Sequence, residues 1–110
     1  MNIYHVVLPE KWAEVADKSF YAADSLAAEG FIHCSFAEQL DGVLERYYSG
    51  VRRVTILEID PGKLMAIVVE EQSTNNEIYP HIFGPINIDA VVGVEERDVS
   101  VENGDADARA

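Results

Sequence analysis

The chain has 110 residues, of which 48% are hydrophobic and 25% are charged, as is typical of one soluble globular domain. Its formal net charge of −12 predicts repulsion from nucleic-acid phosphates and from anionic membranes. No apolar run reaches the roughly 20 residues that a membrane-spanning helix needs, and no export signal is recognisable at the N-terminus. The single cysteine excludes an internal disulfide and multi-cysteine metal frameworks. We therefore expect a cytoplasmic protein that binds neither duplex nucleic acid nor membrane.

The first half of the chain predicts one strand, three helices and a short second strand. Alternation over residues 2–8 is typical of a strand, and Pro9 suits the first turn of a following helix. Residues 24–29 predict a short helical piece, and residues 31–34 a short strand. A capping box over residues 35–38, closed by Ser35 and Glu38, then predicts a helix that ends near Gly50.

The second half of the chain predicts four strands, at residues 53–60, 64–70, 78–83 and 90–95, separated by polar or proline-containing turns. Helices and strands do not alternate regularly, so the pattern favours an α+β fold over a wound parallel sheet. We expect a single small domain over residues 1–98, with two small, mostly antiparallel sheets and two main helices. Residues 99–110 are acidic and small, and predict a disordered C-terminal tail.

Three histidines are present, and each lies within a strand-like motif. Histidine serves as acid, base, ligand or polar anchor near neutral pH. Taken singly, His5 is best explained as a core side chain bonded to a carbonyl, and the alternative for His81 is a loop residue packed on an aromatic ring. Cys34 is better explained as a small buried residue than as a nucleophile, since its neighbour His33 points to the opposite strand face. A carboxylate at Glu70 or Glu71 is better explained as a solvated strand end.

Four stretches of the chain resemble the family known as domain of unknown function 952, over about residues 2–96. They are residues 3–5 (IYH), 25–35 (SLAAEGFIHCS), 38–39 (EQ) and 79–85 (YPHIFGP). That family is grouped by fold with ADP-ribosyltransferases, which bind NAD in a cleft between two small sheets. The resemblance implies that His5 holds a ribose and that His33, with Ser35 nearby, shapes the reacting end. His81 falls where the superfamily commonly has a glutamate, and a neutral imidazole there can act as a base.

These implications predict a pocket around His5, His33 and His81 for NAD or another nucleotide-like ligand, with His5, His33 and Ser35 as binding residues and His33 and His81 as catalytic residues. The reaction would be ADP-ribosyl transfer or cleavage of the nicotinamide glycosidic bond. Two alternatives stay open. One is a non-catalytic ligand-binding or regulatory module, favoured by the scarcity of cations for phosphate. The other is a histidine-based metal hydrolase, since zinc accepts three imidazoles and a water, although the spacing lacks the usual close histidine pair. We predict no resident metal or cofactor.

Overall fold

The computed structural model describes residues 1–99, which form an α+β domain of eight strands and three short α-helices. The strands are β1 (Ile3–Val7), β2 (Phe20–Tyr21), β3 (Ile32–His33), β4 (Arg53–Ile59), β5 (Ile67–Gln72), β6 (Ile78–Phe83), β7 (Ile86–Asn87) and β8 (Val91–Asp98). The helices are α1 (Pro9–Val15), α2 (Asp24–Glu29) and α3 (Leu40–Tyr47). Within this range no helix is both long and apolar enough to cross a bilayer.

The strands form two three-stranded sheets and one short two-stranded ladder, all antiparallel. The first sheet has the order β1-β4-β8, and the second has the order β3-β6-β5. The ladder pairs β2 with β7. The expectation of an α+β domain with small antiparallel sheets is thus confirmed, and the ladder is a third sheet that the sequence did not predict.

The two main sheets meet where Tyr4 of β1 lies beside Ser35, just after β3. These two residues exchange backbone hydrogen bonds of 2.8 and 2.7 Å. Alternation along β1 and β4 sends their side chains into two separate apolar clusters. One cluster contains residues of both main sheets, and Leu57 and Ile82 are fully buried in it. The other cluster includes Leu40 and Leu44 of α3. The first sheet is therefore covered on both faces. The Tyr4–Ser35 hydrogen bonds hold β1 beside the segment that follows β3.

The capping box predicted from Ser35 and Glu38 is wrong. The carboxamide oxygen of Gln39 accepts a 2.9 Å hydrogen bond from the Phe36 N–H, and the Gln39 amide donates to the Ile78 carbonyl at 2.8 Å. Gln39 thus caps a short 3₁₀ turn before α3 and ties it to β6, because its longer side chain reaches both partners. The Ser35 side chain takes no part in this cap.

Two further boundaries differ from expectation. The strand predicted at residues 64–70 lies at Ile67–Gln72, so Glu71 belongs to the strand rather than to its end. Val99, where the predicted tail begins, is buried in the α3 cluster and donates its N–H to the Arg52 carbonyl at 2.9 Å. The rest of the predicted tail, residues 100–110, lies outside the described residues.

Candidate functional site

One cleft of about 890 Å³ collects the ring-bearing polar side chains of this protein. All three histidines and all five tyrosines of the sequence line it: His5, His33, His81, Tyr4, Tyr21, Tyr47, Tyr48 and Tyr79. Its walls come from β1, α1, β6 and the C-terminal end of α3, together with the segment around α2 and β3. The three histidines predicted to share a pocket therefore line the same one.

His33 and His81 face each other across the second sheet. They are register partners in the β3–β6 pair, and the Cys34 N–H bonds to the Pro80 carbonyl at 3.1 Å on the next rung. The histidines therefore form the non-hydrogen-bonded pair, whose side chains approach most closely. Their ring centroids lie 5.4 Å apart in an edge-on arrangement. Phe31 stacks on His81 at 4.1 Å and 16°, which fixes the plane of that imidazole.

Glu71 orients His81. Its Oε1 lies 2.7 Å from His81 Nδ1, and the imidazole is almost fully buried. A carboxylate only accepts, so Nδ1 carries the proton and Nε2 presents a lone pair when the ring is neutral. Nε2 has no hydrogen-bond partner among residues 1–99. The interpretation of Glu71 as a solvated strand end is thus wrong, because β5 pairs Glu71 with Tyr79 and sets its side chain diagonally beside His81.

Glu29 makes the corresponding contact with His33. Its Oε1 lies 3.1 Å from His33 Nε2, and both side chains are about half exposed. Gly30, in the left-handed conformation with φ 93°, ends α2 and turns the chain so that Glu29 and His33 converge. The sequence analysis quoted Glu29 only as part of a motif. Glu29 and His33 are four residues apart, a spacing that predicts a side-chain contact only within a continuous helix. Here α2 ends at Glu29 and His33 belongs to β3.

His5 has a different environment. Its Nδ1 lies 2.7 Å from the His33 carbonyl and must donate, so Nε2 accepts from the Tyr21 hydroxyl at 3.0 Å. Burial lowers the pKa of His5 to about 4, so the ring is neutral at physiological pH. Burial also raises the pKa of Tyr21. Both nitrogens of the residue expected to hold a ribose are thus bonded within the protein, and Tyr21 is a partner that the sequence did not reveal.

Ser35 and Cys34 follow His33 on opposite strand faces. Cys34 is buried in the apolar cluster between the sheets, and burial raises the pKa of its thiol, which suits a core residue rather than a nucleophile. Ser35 is only 5% exposed and lines the cleft, and its hydroxyl has no hydrogen-bond partner within the described range. Ser35 and His81 therefore bring two deeply buried, uncommitted polar groups to the cleft wall.

Carboxylates dominate the charge of the cleft. Glu10, Glu14, Asp24 and Glu29 line it, whereas Lys11 is its one cationic lining residue in the described part of the chain. The Lys11 ammonium lies 3.9 Å from Glu14, so its charge is partly offset. The potential inside the cleft is consequently negative. Over residues 1–99, no group of three or more histidine, cysteine, aspartate or glutamate side chains is arranged to hold a metal ion.

The fold and the cleft together define a small α+β protein with antiparallel sheets and a histidine-lined groove. The chain belongs to the family described as "Protein of unknown function (DUF952)", whose family model matches residues 6–94. The resemblance noted from the motifs is thereby confirmed at the level of the family. No curated protein matches the chain.

Solved structures of protein CC0527 from Caulobacter crescentus share the fold. Its X-ray crystal structure has a TM-score of 0.76 at 22% identity, covering 89% of this chain and 85% of that chain. The crystal structure of a double mutant of the same protein gives 0.75 at 21%, with the same coverage. Its solution NMR structure gives 0.68 at 19%, covering 96% of this chain and 97% of that chain. At these identities the likeness concerns the fold alone.

Proposed function

We propose that this cytoplasmic protein binds NAD or a related nucleoside-like molecule in the cleft and cleaves or transfers at its glycosidic bond, like an ADP-ribosyltransferase or NAD glycohydrolase. The observation that carries the proposal is the Glu71–His81 pair, a buried imidazole held in one tautomer with its Nε2 uncommitted. A carboxylate in this position orients the ring and stabilises the imidazolium that forms when the ring takes up a proton. His33 is the register partner of His81 on the neighbouring strand, and the two ring centroids lie 5.4 Å apart.

The residues of the pair suit a hydrolytic step. Water attacks the anomeric carbon and forms the new C–O bond, while the glycosidic C–N bond breaks and nicotinamide leaves with the bonding electrons. His81 Nε2 takes the proton from the water, and Glu71 stabilises the resulting imidazolium. Ser35 and His33 contact the ribose in this proposal. His5 contributes indirectly, since its bond to the His33 carbonyl holds β3 in place.

Glu71 can supply the carboxylate that the superfamily pattern has and that His81 lacks. The position that commonly holds a glutamate holds His81, but a carboxylate lies 2.7 Å away on the neighbouring strand. It brings negative charge close to a ribosyl cation forming at the histidine pair. The proposal therefore assigns to Glu71 and His81 together the function of one acidic residue.

A non-catalytic ligand-binding role is the second candidate, and the charge of the cleft favours it. Diphosphate groups are normally bound by arginine, lysine or backbone N–H groups at a helix N-terminus. Here the lining supplies Lys11 against four carboxylates. A ligand can therefore be retained through its rings and hydroxyls without any turnover of NAD.

The test compares Glu71→Gln with Glu70→Gln. Both residues belong to β5, but Glu70 is paired with Pro80 and its side chain lies on the opposite face of the sheet. If His81 is the base, Glu71→Gln lowers NAD hydrolysis about 10²-fold or more, and Glu70→Gln retains it. Nicotinamide release is measured with the intact chain.

The outcomes separate the candidates. Equal loss in both variants, or none in either, would contradict the assignment of Glu71 and His81. Thermal stabilisation by NAD without nicotinamide release, even with added acceptors, would favour the binding module instead. Neither stabilisation nor release would refute NAD as the ligand.

A further inference from the structure

We infer that the cleft selects a ligand whose reacting end is positively charged, such as a pyridinium riboside, over an uncharged or polyphosphorylated ligand of the same shape. The inference rests on the proposed function and narrows its substrate class. It predicts that the charge of the leaving ring, rather than a phosphate, determines binding. The arguments are the charge of the wall, its aromatic rings and the uncommitted polar groups at its base.

The carboxylates of the wall come from two helices. Glu10 and Glu14 lie four residues apart on α1 and thus on one face of the helix, while Asp24 and Glu29 lie at the two ends of α2. Because Glu14 is close to Lys11, three acidic side chains remain without that ammonium as a neighbour. A cleft lined by one sign of charge concentrates ligands of the opposite sign. Polyphosphates are repelled for the same reason.

The aromatic residues add an attraction of the same sign. Five tyrosines line the cleft, and Arg46 already lies over one of them, Tyr47, at 5.6 Å from the ring centroid. The face of each of the other four rings carries the negative part of its quadrupole. An organic cation over such a face gains roughly 0.5–2 kcal/mol, depending on its desolvation. A flat pyridinium ring gains this interaction together with stacking, whereas an inorganic cation cannot stack on the ring. The wall therefore favours an aromatic cation in particular.

The base of the cleft supplies hydrogen-bonding groups for the sugar attached to that ring. The Ser35 hydroxyl and His81 Nε2 are both buried and lack partners within residues 1–99. Buried polar groups are normally satisfied, so these two are placed to bond ligand hydroxyls. A cationic ring that carries a ribose matches the acidic wall and the polar base at once.

The experiment is calorimetric titration of the full chain with two matched pairs of ligands. Nicotinamide riboside is cationic, and its reduced dihydro form has nearly the same shape without the charge. The second pair, without ribose, is nicotinamide and the N-methylnicotinamide that is methylated on the ring nitrogen and is therefore a cation. We expect the cation of each pair to bind about tenfold more tightly, with a preference that shrinks as salt is raised.

Two double variants test where the preference arises. Glu10→Gln with Asp24→Asn removes two lining charges and leaves the histidine pair intact, so the preference should fall several-fold. Glu38→Gln with Glu45→Gln makes the same charge change at exposed residues that do not line the cleft, and the preference should persist. Equal effects of the two double variants would show a general charge effect and overturn the inference.

The ligand pairs also separate this inference from the proposed function. If both ribosides bind equally, selection by charge is refuted, while nucleoside binding stands. If only the N-methylnicotinamide pair binds, with the cation tighter, the charge inference is supported and the nucleoside ligand is refuted. If none of the four compounds binds, or if ATP, a polyphosphate without a cationic ring, binds more tightly than nicotinamide riboside, the inference fails.

Discussion

His5 and His81 are both buried, yet their ring nitrogens meet different partners. His5 bonds a backbone carbonyl and a tyrosine hydroxyl, so neither nitrogen is available to a ligand. His81 bonds one carboxylate and keeps Nε2 uncommitted within the described chain. Residue type and burial alone therefore do not distinguish a structural histidine from a candidate base. The partner of each nitrogen does.

Thr55 carries the one side-chain polar atom in the described range that is both sealed from solvent and without a hydrogen-bond partner. It is fully buried in β4, and its hydroxyl oxygen has no hydrogen bond there. An unsatisfied buried hydroxyl destabilises the native state, whereas a methyl group of the same shape does not. We expect Thr55→Val to raise the free energy of unfolding by about 1 kcal/mol, measured by urea denaturation.

A reciprocal change at the next residue serves as the control. Val54 is also fully buried, on the α3 side of the same strand. Val54→Thr introduces a hydroxyl into an apolar cluster and should lower the free energy of unfolding by about 1–3 kcal/mol. If Thr55→Val instead lowers the free energy of unfolding, the Thr55 hydroxyl has a hydrogen-bond partner in solution and the expected stabilisation is refuted.

At the scale of elements, the α2–β3 connection sets the position of the histidine pair. Gly30 ends α2 with φ 93°, a conformation that costs other residues about 1 kcal/mol or more. A Cβ there would meet nothing within 4 Å, so the cost of a substitution is conformational and not steric. We expect Gly30→Ala to destabilise the protein by about 1 kcal/mol and to weaken the Glu29–His33 contact.

Gly50 provides the matched control for that prediction. It also has open space around its Cα, and its φ is not positive. Gly50→Ala should leave stability unchanged or raise it slightly, because alanine restricts the unfolded chain. Thermal unfolding of both variants, with NMR shifts of His33 as a local readout, checks the pair. Equal destabilisation would mean that backbone conformation at residue 30 is not the cause.

The longer elements could be predicted from the sequence, whereas two of the three two-residue strands could not. Periodicity correctly located β1, β4, β6 and α3, each long enough to show its pattern. Strands β2 and β7 contain two residues each, which is too few to show any period. The capping prediction failed for a different reason. Local pattern does not reveal that Gln39 reaches across to β6 and caps the turn itself.

The candidate site could also be predicted only in part from the sequence. The three histidines were expected to share a pocket because each lies in a family-like motif, and all three line the cleft. The carboxylate beside His81 was not expected, because its position depends on the β5–β6 register. A shift of one residue along β5 would turn Glu71 to the other face. Sequence motifs thus identified the imidazoles, and strand pairing determined their partners.

At the scale of the whole molecule, His5 links the two main sheets. It belongs to β1 of the first sheet, bonds the His33 carbonyl of the second, and bonds Tyr21 of the β2–β7 ladder. One buried side chain thus joins the three described sheets by polar contacts. Protonating it places a charge among apolar side chains and leaves Nε2 unable to accept from Tyr21. The stability of the assembled fold should therefore depend on the charge state of this residue.

The direction of that pH dependence follows from burial. Folding lowers the pKa of His5 from the ordinary value of 6.5 to about 4. Between these values the unfolded chain binds a proton that the folded protein does not. The stabilisation is therefore fully present above about pH 6.5, is lost progressively as the pH falls, and changes no further below about pH 4. Its full size is on the order of 3 kcal/mol.

The test compares urea denaturation from pH 7 to pH 4.5 in the wild type, His5→Gln and His33→Gln. Carboxylates titrate in all three proteins and cancel in the differences. His5→Gln should be less stable at pH 7 but should lose less stability on acidification, because no imidazole remains at that site to take up the proton. His33→Gln removes a half-exposed imidazole and should retain nearly the wild-type slope. If His5→Gln kept the full wild-type slope, the acid sensitivity would have to arise elsewhere in the molecule.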